Sequence, residues 1–229
     1  MSQKRWGIRG IAIGSLVVGL LLVGGAIAVW SLSSVEHVAA GAERTTLVID
    51  TDFDKFRQIM VRKNATGSIL ALSGMTLVDE QLEDLQLDAS QDRRPLLNAI
   101  LGKSSTDLSA VKQIKVKLDA PELDADFLVL QQQVDIRADS MSAVTQAKRP
   151  AGKLEAYETS LLATRDGTHT KVELALDMKV RVQVPKVFVA RADEKVRQAA
   201  REAILGQAQA LEAFISEHQS ERLVLPELK

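Results

Sequence analysis

Residues 168–184 of this 229-residue chain read THTKVELALDMKVRVQV, and this stretch decides the fold. From Val172 to Val184 every second residue is apolar, and all the positions between them except Ala175 carry charged or amide side chains. A clean period of two predicts a long β-strand with one buried face and one wet face. Asp166-Gly167 supplies the residues of a tight type I′ turn, so residues 154–165 are predicted to form the other arm of a hairpin. Pro185 ends the strand.

A long helix is predicted after this strand, beginning between Lys186 and Asp193 and ending near His218. Apolar and small residues recur at helical spacing along its inner stripe: Val196, Ala200, Ala203, Ile204, Gln207, Leu211, Phe214 and Ile215. The middle of the stripe is mostly alanine, which either lets the helix approach a sheet closely or leaves room beneath it. We expect the stripe and the apolar face of the strand to face each other across the core.

Upstream segments complete an α+β pattern. Residues 44–50 predict a strand, and a helix begins near Phe53 behind the capping side chains of residues 50–52. Two further runs, 112–118 and 127–137, alternate as strands do, although Gln132 interrupts the apolar face of the second. Residues 75–88 are read as two strands, and residues 94–101 as a short helix. The predicted fold is a curved antiparallel sheet packed on a long C-terminal helix.

Two stretches resemble the START-like (SRPBCC, polyketide cyclase-like) superfamily. Residues 43–60, ERTTLVIDTDFDKFRQIM, are similar to its first strand and following helix. Residues 167–214, GTHTKVELALDMKVRVQVPKVFVARADEKVRQAAREAILGQAQALEAF, are similar to its last strand, proline break and terminal helix. The resemblance implies a helix-grip fold with a deep apolar cavity between sheet and terminal helix, which takes lipids or other hydrophobic ligands. Candidate cavity-lining residues are then Leu174, Leu176, Met178, Val180, Val196, Ala200, Ala203 and Ile204.

An uncharged apolar stretch, Ile11–Trp30, precedes this domain. As a helix it would span ~30 Å, the thickness of a bilayer's hydrocarbon core. Trp6 and Trp30 flank it where aromatic rings prefer the membrane interface, and Lys4, Arg5 and Arg9 lie before it. By the positive-inside rule we expect a single-pass transmembrane helix with a cytoplasmic N-terminus and a periplasmic or otherwise extracytoplasmic domain.

The expected organisation is a cytoplasmic basic tail (1–10), the anchor (11–30), a linker (31–42), the START-like domain (43–220) and a C-terminal tail (221–229). A cleaved signal peptide is the alternative to a retained anchor. Its apolar region would be shorter, and the best A-x-A site, Ala40-Gly41-Ala42, lies well beyond the end of the stretch. The sequence therefore favours retention.

Composition narrows the chemistry. The chain has no cysteine, which excludes disulfides and thiolate sites, and a net charge of -1 without a basic face argues against nucleic acid. The three histidines show no metal-ligand spacing. Glu155 and Glu158, near Tyr157, fall on opposite faces of a regular strand, which disfavours a catalytic pair. No catalytic constellation and no cofactor site are predicted.

Three functions remain open. The first is a membrane-tethered domain that binds a lipid or another hydrophobic small molecule. The second is a structural or assembly protein of the cell envelope that binds another protein, and the third is a cyclase-type enzyme. A cavity above ~300 Å³ would favour the first, and a filled core with an exposed apolar patch the second. The oligomeric state is left open.

Overall fold

The computed structural model describes residues 34–62, 65–72, 75–88, 107–118 and 120–221. Within them, seven strands form one antiparallel sheet and three helices accompany it. The strands are β1 (Ser34–Ile49), β2 (Met75–Asp88), β3 (Asp107–Leu118), β4 (Phe127–Ile136), β5 (Ser140–Ala147), β6 (Leu154–Asp166) and β7 (His169–Pro185). The helices are α1 (Phe53–Arg62), α2 (Ala65–Leu72) and α3 (Val189–His218), and 3₁₀ turns occupy Pro121–Leu123 and Lys186–Phe188.

The strand order is β1-β7-β6-β5-β4-β3-β2, so the first strand pairs with the last. β1 and β2 follow each other among the described strands, yet they form the two opposite edges of the sheet, and α1 and α2 lie between them in the chain. The long helix α3 packs against β1 and β7. This arrangement is the α+β, helix-grip architecture that the sequence predicts.

β7 shows the alternation that its sequence predicts. Every second residue from Thr170 to Val184 is buried, and the residues between them are exposed or half-buried. The hairpin to β6 closes between Asp166 and His169, with Gly167 at φ 60° in the left-handed region that a tight turn requires. The predicted packing of β7 against α3 is confirmed.

β1 begins earlier than predicted. The sequence predicts a linker over residues 31–42, but residues 34–42 pair with β7 from Pro185 back to Asp177. Alanine and glycine have little β-propensity, which hid this half of the strand. These residues are small because α3 lies directly on them and leaves no room for larger side chains. A Cβ atom at Gly41 would stand 2.5 Å from the carbonyl oxygen of Val196.

Other predicted elements changed or lie outside the described residues. β2 is one strand with two register shifts instead of two strands. Helix α2 and strand β5 were not predicted. The proposed helix at 94–101, the basic tail and anchor at 1–30, and residues 222–229 of the C-terminal tail lie outside the described part of the chain. Among the helices that are described, none is both long and apolar enough to cross a bilayer.

A buried arginine fastens α1 to the end of the sheet. Arg57 is 1% exposed and donates from Nη1 to the carbonyl oxygen of Arg137 at 2.9 Å and from Nη2 to Asp54 at 2.8 Å. Arg165 of β6 donates to the same Asp54 oxygen at 3.0 Å. Both guanidinium groups lie against the ring of Phe53, each 5.4 Å from its centroid. These contacts join the helix to the β4–β5 turn and to β6.

Candidate ligand cavity

A cavity of about 400 Å³ lies between the sheet and the three helices. Residues of β3 to β7 that point toward the helices form one wall, and residues of α1, α2 and α3 form the other. Most of the lining is apolar and includes Ile69, Leu130, Val134, Ile136, Met141, Leu161, Leu174 and Leu211. The volume falls in the range of small-molecule sites, ~300–1,000 Å³.

The helix α3 packs in two different ways along its length. Its N-terminal half lies directly on the sheet, where Val196, Ala199 and Ala200 are buried. About two turns further on, Gln207 and Leu211 line the cavity instead. The alanine stripe therefore brings helix and sheet together, and the open space lies beneath the residues that follow it.

This packing determines where the predicted lining residues lie. Leu174 is on the cavity wall. The others belong to the packed core beside the cavity: Leu176, Met178, Val180, Val196, Ala200 and Ile204 are buried there, and Ala203 is partly buried against the same core. The prediction placed the cavity too near the start of α3, because small side chains on the helix indicated close approach and not room.

A chain of polar side chains crosses one part of the cavity wall. The Thr66 hydroxyl of α2 donates to Gln132 Oε1 at 3.2 Å, and Gln132 Nε2 donates to the Thr145 hydroxyl at 3.0 Å. Gln132 is therefore held between α2 and β5 with both ends of its amide engaged. A fixed amide and two hydroxyls can orient a ligand that carries a hydrogen-bonding group.

Tyr157 and Gln207 form a second polar pair on the lining. Gln207 Nε2 donates to the Tyr157 hydroxyl at 3.4 Å. Burial raises the pKa of Tyr157 to about 12, and the hydrogen bond from Gln207 partly opposes that rise. The phenol is therefore neutral at physiological pH. Since its oxygen accepts from Gln207, its own O–H is left to act as a donor.

The one charged side chain among the described lining residues is Lys112 of β3. Its Nζ lies 2.8 Å from Glu80 Oε1 of β2, and both side chains are 26% exposed. The ion pair offsets the charge of the ammonium group. The described walls therefore present mainly apolar surface with neutral donors and acceptors, which suits an uncharged ligand better than a carboxylate or a phosphate.

The histidines are not brought together. His37 pairs with Asp193 at 2.8 Å, His169 lies 3.3 Å from Asp50, and His218 approaches the carbonyl oxygen of Phe214 at 2.9 Å. None of the three is on the cavity lining. In the described part of the chain, no cluster of three or more His, Asp or Glu side chains is placed to hold a metal ion.

Two polar residues in the sequence indicate where the cavity lies, and neither is among the predicted lining residues. Gln132 interrupts an otherwise apolar strand face, and Gln207 interrupts an apolar helix stripe. Thr66, Thr145 and Tyr157, which were not predicted as lining residues, join them there. These polar residues occupy inward-facing positions on a wall whose other side chains are mostly apolar.

No family model and no curated protein sequence matches the chain. Its fold is similar to that of several solved structures. TTHA0849 from Thermus thermophilus is 12% identical, with 78% of this chain and 99% of that chain covered and a TM-score of 0.43. Zhui aromatase/cyclase from Streptomyces sp. R1128 is 10% identical, with 79% and 96% covered and a TM-score of 0.44. A START superfamily protein from Mycobacterium smegmatis is 13% identical, with 77% and 97% covered and a TM-score of 0.41.

Proposed function

We propose that this chain is a membrane-tethered domain that binds an uncharged hydrophobic ligand, either a lipid or another apolar small molecule. The observation that carries the proposal is the cavity of about 400 Å³ with apolar walls and a few fixed polar groups. Natural cores rarely leave voids of this size, because their interiors pack as densely as organic crystals. A ligand that fills the space and hydrogen-bonds to Tyr157 or to the Gln132 chain explains both its size and its polar groups.

The cavity also favours ligand binding over a purely structural role. An assembly protein would be expected to have a filled core and to expose one contiguous apolar patch. Several apolar side chains are exposed on the strands, such as Val48 on β1 and Leu162 on β6, but single exposed side chains are ordinary on soluble surfaces. An envelope protein partner therefore remains the alternative function.

We place the domain outside the cytoplasm, next to the membrane. The uncharged stretch 11–30 and the basic residues before it support this proposal. The position of β1 supports a retained anchor. Cleavage after Ala42 would remove residues 34–42, which pair with β7 and include Ala39 and Gly41 under α3. A domain processed at that site would lose half of an edge strand and the surface on which its helix rests.

Ligand binding can be tested on the full chain extracted from its own membrane in mild detergent. Native mass spectrometry would identify any co-purified lipid or small molecule. Ala143 lines the cavity, so Ala143→Phe should fill the space and release the ligand while leaving the melting temperature nearly unchanged. Val144, the next residue, is 38% exposed on the opposite face of β5, and Val144→Phe should retain the ligand.

The opposite result would contradict the proposal. If no ligand co-purifies with any variant, and Ala143→Phe destabilises the fold by the ~1–3 kcal/mol typical of overpacking, the space is not a binding site. Retention of the same ligand by Ala143→Phe would show that the ligand binds elsewhere on the chain.

A further inference from the structure

Strands β1 and β7 project beyond the rest of the sheet at one end. Pairing between β6 and β7 reaches only to Leu154 opposite Val180, whereas β1 and β7 remain paired to Ser34 opposite Pro185. The two-stranded ribbon therefore continues five residues further, or about 17 Å at strand spacing. The 3₁₀ turn Lys186–Phe188 forms its tip and leads into α3.

This tip exposes apolar side chains between basic ones. Val187 is 81% exposed and Phe188 is 44% exposed, although Val182 and Val184 on the ribbon itself are 7% exposed. Lys186 before them and Arg191 after them are also exposed. Two neighbouring apolar side chains held out by a short turn and flanked by cations are typical of a surface that contacts the membrane interface.

The acidic groups near the tip each have a basic side chain beside them. Glu36 pairs with Arg181 at 3.6 Å, Asp193 lies 2.8 Å from His37, and Glu194 pairs with Arg197 at 2.7 Å. The two arginine pairs partly offset the negative charge of Glu36 and Glu194. Lys186 and Arg191 are themselves exposed, so both cations can approach an anionic surface.

The chain's own sequence brings this tip close to a bilayer. Ser34 is paired with Pro185, and the uncharged stretch that precedes it ends at Trp30. Four residues reach at most about 14 Å when fully extended. If stretch 11–30 spans the membrane, as the proposed tether requires, the ribbon tip cannot stand far from the headgroup region.

We propose that the turn Lys186–Phe188 is a membrane-contact site that rests on an anionic lipid surface. Val187 and Phe188 enter the boundary between headgroups and acyl chains, while Lys186 and Arg191 face lipid phosphates. This inference rests on the tether in the proposed function. It adds a second point of attachment to the membrane. Two points fix the orientation of the domain relative to the bilayer, whereas the anchor alone would leave that orientation free.

The absence of cysteine makes the test direct, because one introduced cysteine is the only site for a thiol-reactive fluorophore. The full chain carrying Val187→Cys or Phe188→Cys would be reconstituted into phosphatidylcholine vesicles with and without phosphatidylglycerol. Leu205→Cys is the matched control. Its exposed fraction, 47%, is similar to that of Phe188, but it lies about 25 Å further along α3. A quencher attached to the lipid acyl chains reports contact with the bilayer.

We expect lipid quenching and a blue shift at positions 187 and 188, both stronger with phosphatidylglycerol, and neither at position 205. If the chain floats with the vesicles but position 187 is as water-exposed as position 205, the contact site is refuted and the tether stands. If position 187 is shielded from aqueous iodide but not quenched by lipid, another part of the chain covers the tip, which also refutes the proposal. If the chain fails to float with the vesicles, both the tether and the contact site are refuted.

Discussion

Gly41 of β1 and Val196 of α3 lie so close together that a Cβ atom at position 41 would stand 2.5 Å from the Val196 carbonyl oxygen. The same atom would lie 3.1 Å from the Cβ of Ala200. Because the nearer neighbour is backbone, the helix itself must shift to admit a methyl group. We expect Gly41→Ala to destabilise the full chain by ~1–3 kcal/mol, measured by chemical denaturation in detergent.

Gly206 provides the control for that substitution. It lies within α3, and a Cβ atom there would meet nothing within 4 Å. Gly206→Ala should therefore raise the free energy of unfolding by up to ~1 kcal/mol, since alanine favours a helix over glycine. Equal effects of the two substitutions would show that the close contact at Gly41 is not a determinant of stability.

The titration of Tyr157 reports directly on the cavity, because it is the chain's single tyrosine. Burial raises its pKa to about 12, whereas the unfolded value is ~10. Between these values the folded state holds the proton more tightly than the unfolded state, so stability should fall as pH rises from ~10 to ~12. The phenolate absorbance of the folded protein should appear near the upper value, and a midpoint near ~10 would show that the phenol is in contact with water.

Replacement of Arg57 should cost more than replacement of its neighbour Arg165. Arg57 is buried and joins α1 to the Arg137 carbonyl oxygen and to Asp54. Arg57→Met should therefore lower the free energy of unfolding by ~1.5–3 kcal/mol for each charged hydrogen bond that is lost. Arg165 shares the same carboxylate, but its side chain is 41% exposed. Arg165→Met should cost less than ~1 kcal/mol. Thermal or denaturant unfolding of both variants checks the ranking, which similar losses would contradict.

The two faces of β7 should respond oppositely to an acidic residue. Val180 is 2% exposed, and Val180→Asp should unfold the domain because it buries a carboxylate and loses ~1.5–3 kcal/mol of apolar burial. Lys179 is exposed and lies opposite Ala40 and Ala156. Lys179→Asp should change stability by only ~0.5 kcal/mol. Arg181 is a poorer control, because it pairs with Glu36 and Glu155. Circular dichroism of both variants separates the outcomes, and a folded Val180→Asp protein would contradict the burial of this face.

The parts of the fold that could be read from the sequence are those whose signal is local. The alternation in β7 predicts its buried face, and Asp52 caps α1 as expected by accepting from the Lys55 amide at 3.0 Å. Strand β5 was missed for a physical reason. Its inward residues include Ala143 and Thr145, which are small or polar because they line the cavity, so they give no apolar alternation. The residues that make β5 a wall of the cavity are therefore the reason that the sequence does not predict this strand.

The position of the cavity depends on contacts that the sequence does not display. The resemblance to a helix-grip family implied that an apolar space would exist. The position of that space depends on how closely α3 approaches β1. Gly41 and Ala39 set this distance. They are about 160 residues from Ala200 in the sequence, and neither residue type predicts a strand or a core position. Sequence periodicity describes each face of an element but not the distance between two faces.

The pairing of the first strand with the last has a consequence for synthesis. About 150 residues separate Ser34 from Pro185, so at roughly 5–20 residues per second β1 emerges ~8–30 s before its partner. During that delay it is an unpaired edge, the kind of segment that recruits other nascent chains into aggregates. Its early half reads VEHVAAGAE, which is rich in alanine and carries charge. The small residues that allow α3 to pack closely on β1 therefore also make the unpaired strand a poor template for pairing with other nascent chains.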